Sequence, residues 1–193
     1  MDEPFKTEPH PFKPFLPASA RMLILGSFPP QPKRWCMDFY YPNWINDFWR
    51  IMGNIFYSDR DHFTLPGEKR FDKEAIIRFC REQGIALYDT ATSIRRLKEN
   101  ASDRFLEVVE PTDIAALLKQ IPRCQAIVTT GQKATDTLCQ TFGCTQPPMN
   151  GSVGIIVDGK PYRFFRLPST SRAYPLSLEK KTEAYKNLFN FFK

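Results

Sequence analysis

The sequence lacks any apolar run near the roughly 18 residues that suggest a membrane span. Its start, Met1-Asp2-Glu3-Pro4-Phe5-Lys6, carries no apolar signal core. Neither insertion nor export is expected, and the reading is of a cytoplasmic protein. Histidine is scarce, with only His10 and His62. The cysteines, Cys36, Cys80, Cys124, Cys139 and Cys144, are odd in number, and no two have C-x-x-C spacing. A metal cage or iron–sulfur site is therefore not expected; five reduced thiols are. No internal repeat is visible, and no low-complexity tract follows the proline-rich first residues.

What is present is a core and a charge imbalance. The chain has 193 residues, 42% hydrophobic and 25% charged, which fits one ordinary domain. Its formal net charge is +6 and its sequence pI about 9.1, a balance that favours a polyanion partner, nucleic acid above all. Aromatic residues make up 14% of the chain, 17 of them phenylalanine. Some stand next to arginines, as base-stacking sites require.

Pro4, Pro9, Pro11, Pro14 and Pro17 make residues 1–20 an extended arm, because proline removes a backbone donor and fixes φ. Phe5, Phe12 and Phe15 are expected to pack it onto a domain spanning 21–193. Residues 22–25, 85–88 and 126–129 read as short buried strands. Phe48, Ile51, Met52, Ile55 and Phe56 recur at helical spacing after Asn46-Asp47. Further helices are expected at 72–83, stopped by Gly84; at 112–118, capped by the Thr112 hydroxyl with Asp113 beside it; and at 133–142, closed by Gly143. Ser177 caps a last helix whose apolar stripe is the Lys181 stem, Tyr185, Leu188, Phe189 and Phe192. Residues 153–157 and 162–167 flank Asp158-Gly159-Lys160 as a hairpin. Strands alternating with helices imply an α/β fold with a mainly parallel sheet. In such a sheet the ligand crevice lies outside the carboxyl ends of the strands. Residues 26–30, 89–96, 130–133 and 167–174 all leave strands there.

The exit Leu25-Gly26-Ser27-Phe28-Pro29-Pro30 reads either as an ordinary turn or as a place where backbone meets a ligand. Tyr40 and Tyr41 are either core residues or a stacking platform. Asn46 is a good N-cap; its carboxamide can also orient a water or bond a substrate, although it cannot act as a base. Asp38 and Asp47, the neighbouring carboxylates, read as surface charges. Ser93 through Lys98, with Arg104, forms a basic segment that is either a solvated face or a phosphate contact. Thr130-Gly131-Gln132-Lys133 places free amides at a helix start, an anion site in principle. In Leu167-Pro168-Ser169-Thr170-Ser171-Arg172-Ala173-Tyr174, three hydroxyls can bond phosphate oxygens, and Arg172 and Tyr174 can enter a groove.

The first and last of these loops together resemble the uracil-DNA glycosylase superfamily. The likeness is nearest to the branch of mismatch-specific uracil and hypoxanthine-type glycosylases. Tyr41 stands at the aromatic position that stacks on the base, Asn46-Asp47-Phe48-Trp49 matches N-x-F-W, and residues 167–171 look like the second motif. Ser27 and Phe28 occupy positions where many relatives carry Asp, Asn or Glu. Asn43 stands where near relatives carry His, and Leu167 where His or Asn is frequent. The resemblance therefore moves the catalytic amide to Asn46.

The resemblance implies a three-layer α/β/α sandwich around a short, mainly parallel sheet. It implies a monofunctional DNA repair glycosylase, without metal or organic cofactor, acting as a monomer on DNA that holds a damaged or deaminated base. Uracil is the first expectation. By the same likeness, Gly26, Ser27, Phe28, Tyr41 and Asn43 would bind the flipped base. Lys133, Ser169, Thr170, Ser171, Arg172 and Tyr174 would hold DNA. Three alternatives stay open: release of hypoxanthine or another altered purine, a catalytically silent DNA-binding relative, and an enzyme acting on free nucleosides.

Overall fold

A computed structural model describes residues 6–98 and 102–193; Pro4 and Phe5 of the arm lie outside the described residues. The chain runs through β1 (Thr7–Pro9), β2 (Met22–Gly26), α1 (Phe48–Tyr57), α2 (Lys73–Gln83), β3 (Ile85–Asp89), β4 (Ala91–Arg96) and β5 (Leu106–Pro111). It continues through α3 (Ile114–Gln120), β6 (Ala126–Thr130), α4 (Gln132–Phe142), β7 (Ser152–Val157), β8 (Lys160–Leu167) and α5 (Leu178–Asn190).

The main sheet has five strands in the order β3-β2-β6-β8-β7. All pairs are parallel except β7 with β8. Every residue of β2, β3 and β6 is buried, as expected of parallel strands covered on both faces. The β7–β8 hairpin alternates instead, and Asp158 and Gly159 take positive φ angles of 48° and 77° at its turn, the geometry that suits a right-twisted hairpin. Helices flank this sheet, so the expected α/β architecture is the one observed.

The second sheet, β1-β4-β5, is antiparallel and was not anticipated. It absorbs two segments read as irregular. The arm is extended, as its prolines require, and it is woven into the domain. Its β1 pairs with β4, and Phe15 exchanges backbone hydrogen bonds with Leu87 on β3. The basic segment that follows β3 is itself a strand, and its arginines have protein partners. Arg96 Nε donates to both carboxylate oxygens of Glu8 at 3.1 Å, and its guanidinium also donates to the Pro29 carbonyl.

One cap also differs. Asp113, not Thr112, caps α3 by accepting the Ala116 N–H, while the Thr112 hydroxyl donates to the Asp89 carbonyl. Beside Thr112, β5 has already ended in the small sheet, so its hydroxyl is directed back toward β3.

Glycine inside α1 has a reason of its own. A Cβ on Gly53 would collide with the Asp59 carbonyl oxygen, where the chain folds back after the helix. Gly53→Ala should therefore lose about 1–3 kcal/mol despite alanine's better helix propensity. A lower urea midpoint at unchanged slope would show it, and a gain in stability would contradict it.

Candidate active site

The exits of β2, β3, β6 and β8 meet at the carboxyl edge of the main sheet around a cleft of about 130 Å³. The segment between β2 and α1 closes it from one side. Among the expected residues, Gly26, Ser27, Phe28, Tyr41, Asn43, Asn46, Ser169, Thr170 and Ser171 all line it. Lys133, Arg172 and Tyr174 are not among its lining residues.

At the β2 exit the backbone comes close to a carboxylate. A Cβ on Gly26 would lie 2.6 Å from Asp89 Oδ1, so only glycine lets Asp89 rest against the strand end. The Phe28 side chain turns away into a small cluster with Ala91, Ile94 and Leu106.

The two tyrosines divide. Tyr40 is core, its hydroxyl donating to the Lys13 carbonyl. Tyr41 has a left-handed φ of 52°, a costly conformation for a bulky residue. It is held there by its ring, stacked on Phe48 at 3.9 Å and 5°, and by a 3.0 Å hydrogen bond between its hydroxyl and Thr130 Oγ1. Burial, then the charge of Asp89, raises its phenol pKa, so Tyr41 stays neutral.

Asn46 is not the N-cap of α1, a place Asp47 takes without a side-chain cap bond; one residue earlier, the Asn46 side-chain oxygen accepts the Phe48 N–H at 2.9 Å in a local turn that leads into the helix. One lone pair is thereby used, while the carboxamide nitrogen has no hydrogen-bond partner among the described residues. Asn43 accepts the Ile45 N–H in a similar local turn at 3.2 Å.

Asp47 is not a surface charge. It is 5% exposed, and its carboxylate receives Lys181 Nζ at 2.9 Å and Arg172 at 3.5 Å. Lys181 is wholly buried, head group included, and also donates to the Ser171 carbonyl at 2.8 Å. The Asp47 N–H donates to the Thr170 carbonyl at 2.9 Å. The helix start, the hydroxyl loop and α5 are thus tied at one point. In that loop Ser169 Oγ accepts the Ser171 N–H, and Ser171 Oγ accepts the Ala173 N–H.

Two lining carboxylates were missed by sequence reasoning: Asp89 and Asp103. Asp89 ends β3, so a carboxylate at a strand exit was a visible signal. His10 Nε2 donates to Asp89 Oδ2 at 2.8 Å, and its Nδ1 lies 2.9 Å from the Phe12 carbonyl oxygen and 3.0 Å from the Phe12 nitrogen. Asp103 comes from a short turn (Asp103–Phe105) between β4 and β5. No sequence signal places it, because the small sheet brings it to the cleft. Burial, the largest effect, raises its pKa above the usual carboxylate range; a hydrogen bond from Ser27 opposes this, and the charge of Asp89 adds to it.

No family model matches the chain, and comparison with curated proteins gives no match. Among solved structures, the chain is similar to the solution NMR structure of a candidate uracil DNA glycosylase from Methanosarcina acetivorans. The TM-score is 0.62 at 22% identity, over 96% of this chain and 99% of that one. The two share a fold from end to end, the uracil-DNA glycosylase-like α/β architecture.

Proposed function

We propose that this chain hydrolyses the N-glycosidic bond of a deaminated base flipped out of DNA, leaving an abasic site. The observation that carries the reading is the convergence on one cleft of Tyr41, Asn46, the Gly26 exit and the Ser169–Ser171 loop. Tyr41, stacked on Phe48, lines the cleft and serves as the platform for a base. Stacking of that kind is worth roughly 1–3 kcal/mol. Asn46 holds the attacking water, the backbone after Gly26 bonds the base edge, and Ser169 and Ser171 meet phosphate. Lys133, Arg172 and Tyr174 extend the DNA contact outside the cleft.

Asp89 supplies a reason for preferring deaminated bases to their parents, cytosine and adenine. An ionised carboxylate only accepts hydrogen bonds. Cytosine and adenine present a bare ring nitrogen at the position where uracil and hypoxanthine present N–H. A fixed carboxylate accepts from the second pair and repels the first. It serves uracil and hypoxanthine alike, so the choice between them belongs to experiment.

A panel of single-lesion oligonucleotides tests the reading. Uracil or hypoxanthine release is expected, with alkali-labile abasic sites as product and no release of cytosine or adenine. Salt-dependent DNA binding with no release of any base would favour a silent DNA-binding protein instead. Hydrolysis of free nucleosides without DNA affinity would favour a nucleoside hydrolase.

A further inference from the structure

The reading above lacks a group that can take a proton from water. A carboxamide cannot, and Tyr41 is held neutral. The β2 exit offers Ser27 and Phe28 but no carboxylate. Among the described residues lining the cleft, the only carboxylates are Asp89 and Asp103. Asp89 is already assigned to the base, with Oδ2 bonded by His10 and Oδ1, at the Gly26 strand end, the oxygen left to accept the base N–H. Asp103 lines the cleft together with Ser27, Gly26 and Asn46.

We infer that Asp103 is the general base of this site, a role that rests on the glycosylase reading. In that step the water oxygen bonds to C1′ while the C1′–N bond breaks and its electron pair leaves with the base. The water's proton passes to the Asp103 carboxylate, which then gives it up to solvent or to the departing base nitrogen. Asn46 orients the water, and Asp103 receives its proton. The small sheet thereby acquires a purpose: β4 and β5 carry a second carboxylate to the cleft, beside a β2 exit that has none of its own.

The surroundings of Asp103 set its pH behaviour. Asp89 from β3 disfavours its charge, while Lys133 from α4 and Arg96 from β4 favour it; Tyr41 is neutral and Ser27 donates a hydrogen bond. Burial outweighs the rest and holds its carboxyl above the usual range. The base form is the active one, so base release should fall as pH drops through that raised value, above the ~3.9 of a free aspartate.

The test is single-turnover base release against pH, with DNA affinity and thermal melting measured alongside, for the unaltered chain, Asp103→Asn and Asp103→Glu. Asp103→Asn should lose about a hundredfold or more in release, keep its DNA affinity, and lose the acidic limb. Asp103→Glu should recover part of the rate and retain a shifted limb. If Asp103→Asn melts early, the limb in the unaltered chain and its shift in Asp103→Glu decide the matter. Release by Asp103→Asn within about threefold of the unaltered chain, or an acidic limb unmoved by either substitution, overturns the role of Asp103 alone. Absence of release by the unaltered chain overturns the glycosylase reading, and this proposal with it.

Discussion

Lys181→Ala is expected to cost about 3–5 kcal/mol, because it leaves the Asp47 carboxylate buried without its closest cation. Asp47 is 5% exposed, and the remaining cation, Arg172, is half exposed and farther away, at 3.5 Å. For a chain of this size the loss should lower the melting temperature on the order of 10 °C. The ammonium also holds the Ser171 carbonyl, so the hydroxyl loop should loosen and DNA affinity should fall with stability. Replacing both partners, as in Asp47→Asn with Lys181→Met, should cost less than the sum of the single changes, since no unpaired charge remains. Additive losses in that cycle, or a single variant as stable as the unaltered chain, would count against the tie between helix start, loop and α5.

Asn46→Ala should lower base release by about a hundredfold or more while DNA affinity stays within about threefold. The side chain has two duties here, and they can be separated. Its oxygen accepts the Phe48 N–H, so alanine should also remove about 1 kcal/mol of helix-start stability. Asn46→Ser restores an acceptor for that N–H but offers no carboxamide nitrogen. Serine should therefore recover stability and leave base release low. If serine recovers both, Asn46 serves the turn before the helix and nothing more.

How much of this was legible in the sequence differs by element. The five-stranded sheet was, because β2, β3 and β6 each begin as a short apolar run and the helices that follow have apolar stripes or clear stops. The cleft's outline was legible too, since strand exits rich in Gly, Pro, Ser and Thr gather at one edge. The small sheet was not. Its strands are short and mix polar, charged and apolar residues with no sustained alternation, and β1 is three residues of a proline-rich arm. Pairing across such distances along the chain leaves no local pattern. Asp47 misled for a related reason. A carboxylate beside an apolar stripe reads as solvated, and only the fold shows that it meets the buried ammonium of Lys181, whose stem the last helix's stripe already held. Asp103 was hidden twice over, on an unforeseen turn of an unforeseen sheet.

The most direct measurement is single-turnover base release by the unaltered chain, at saturating protein, from otherwise identical duplexes and single strands carrying uracil, hypoxanthine, cytosine or adenine. The account predicts abasic product from uracil or hypoxanthine, none from cytosine or adenine, and loss of that product in Asn46→Ala at undiminished DNA binding. DNA bound by the unaltered chain with every base still in place would contradict it.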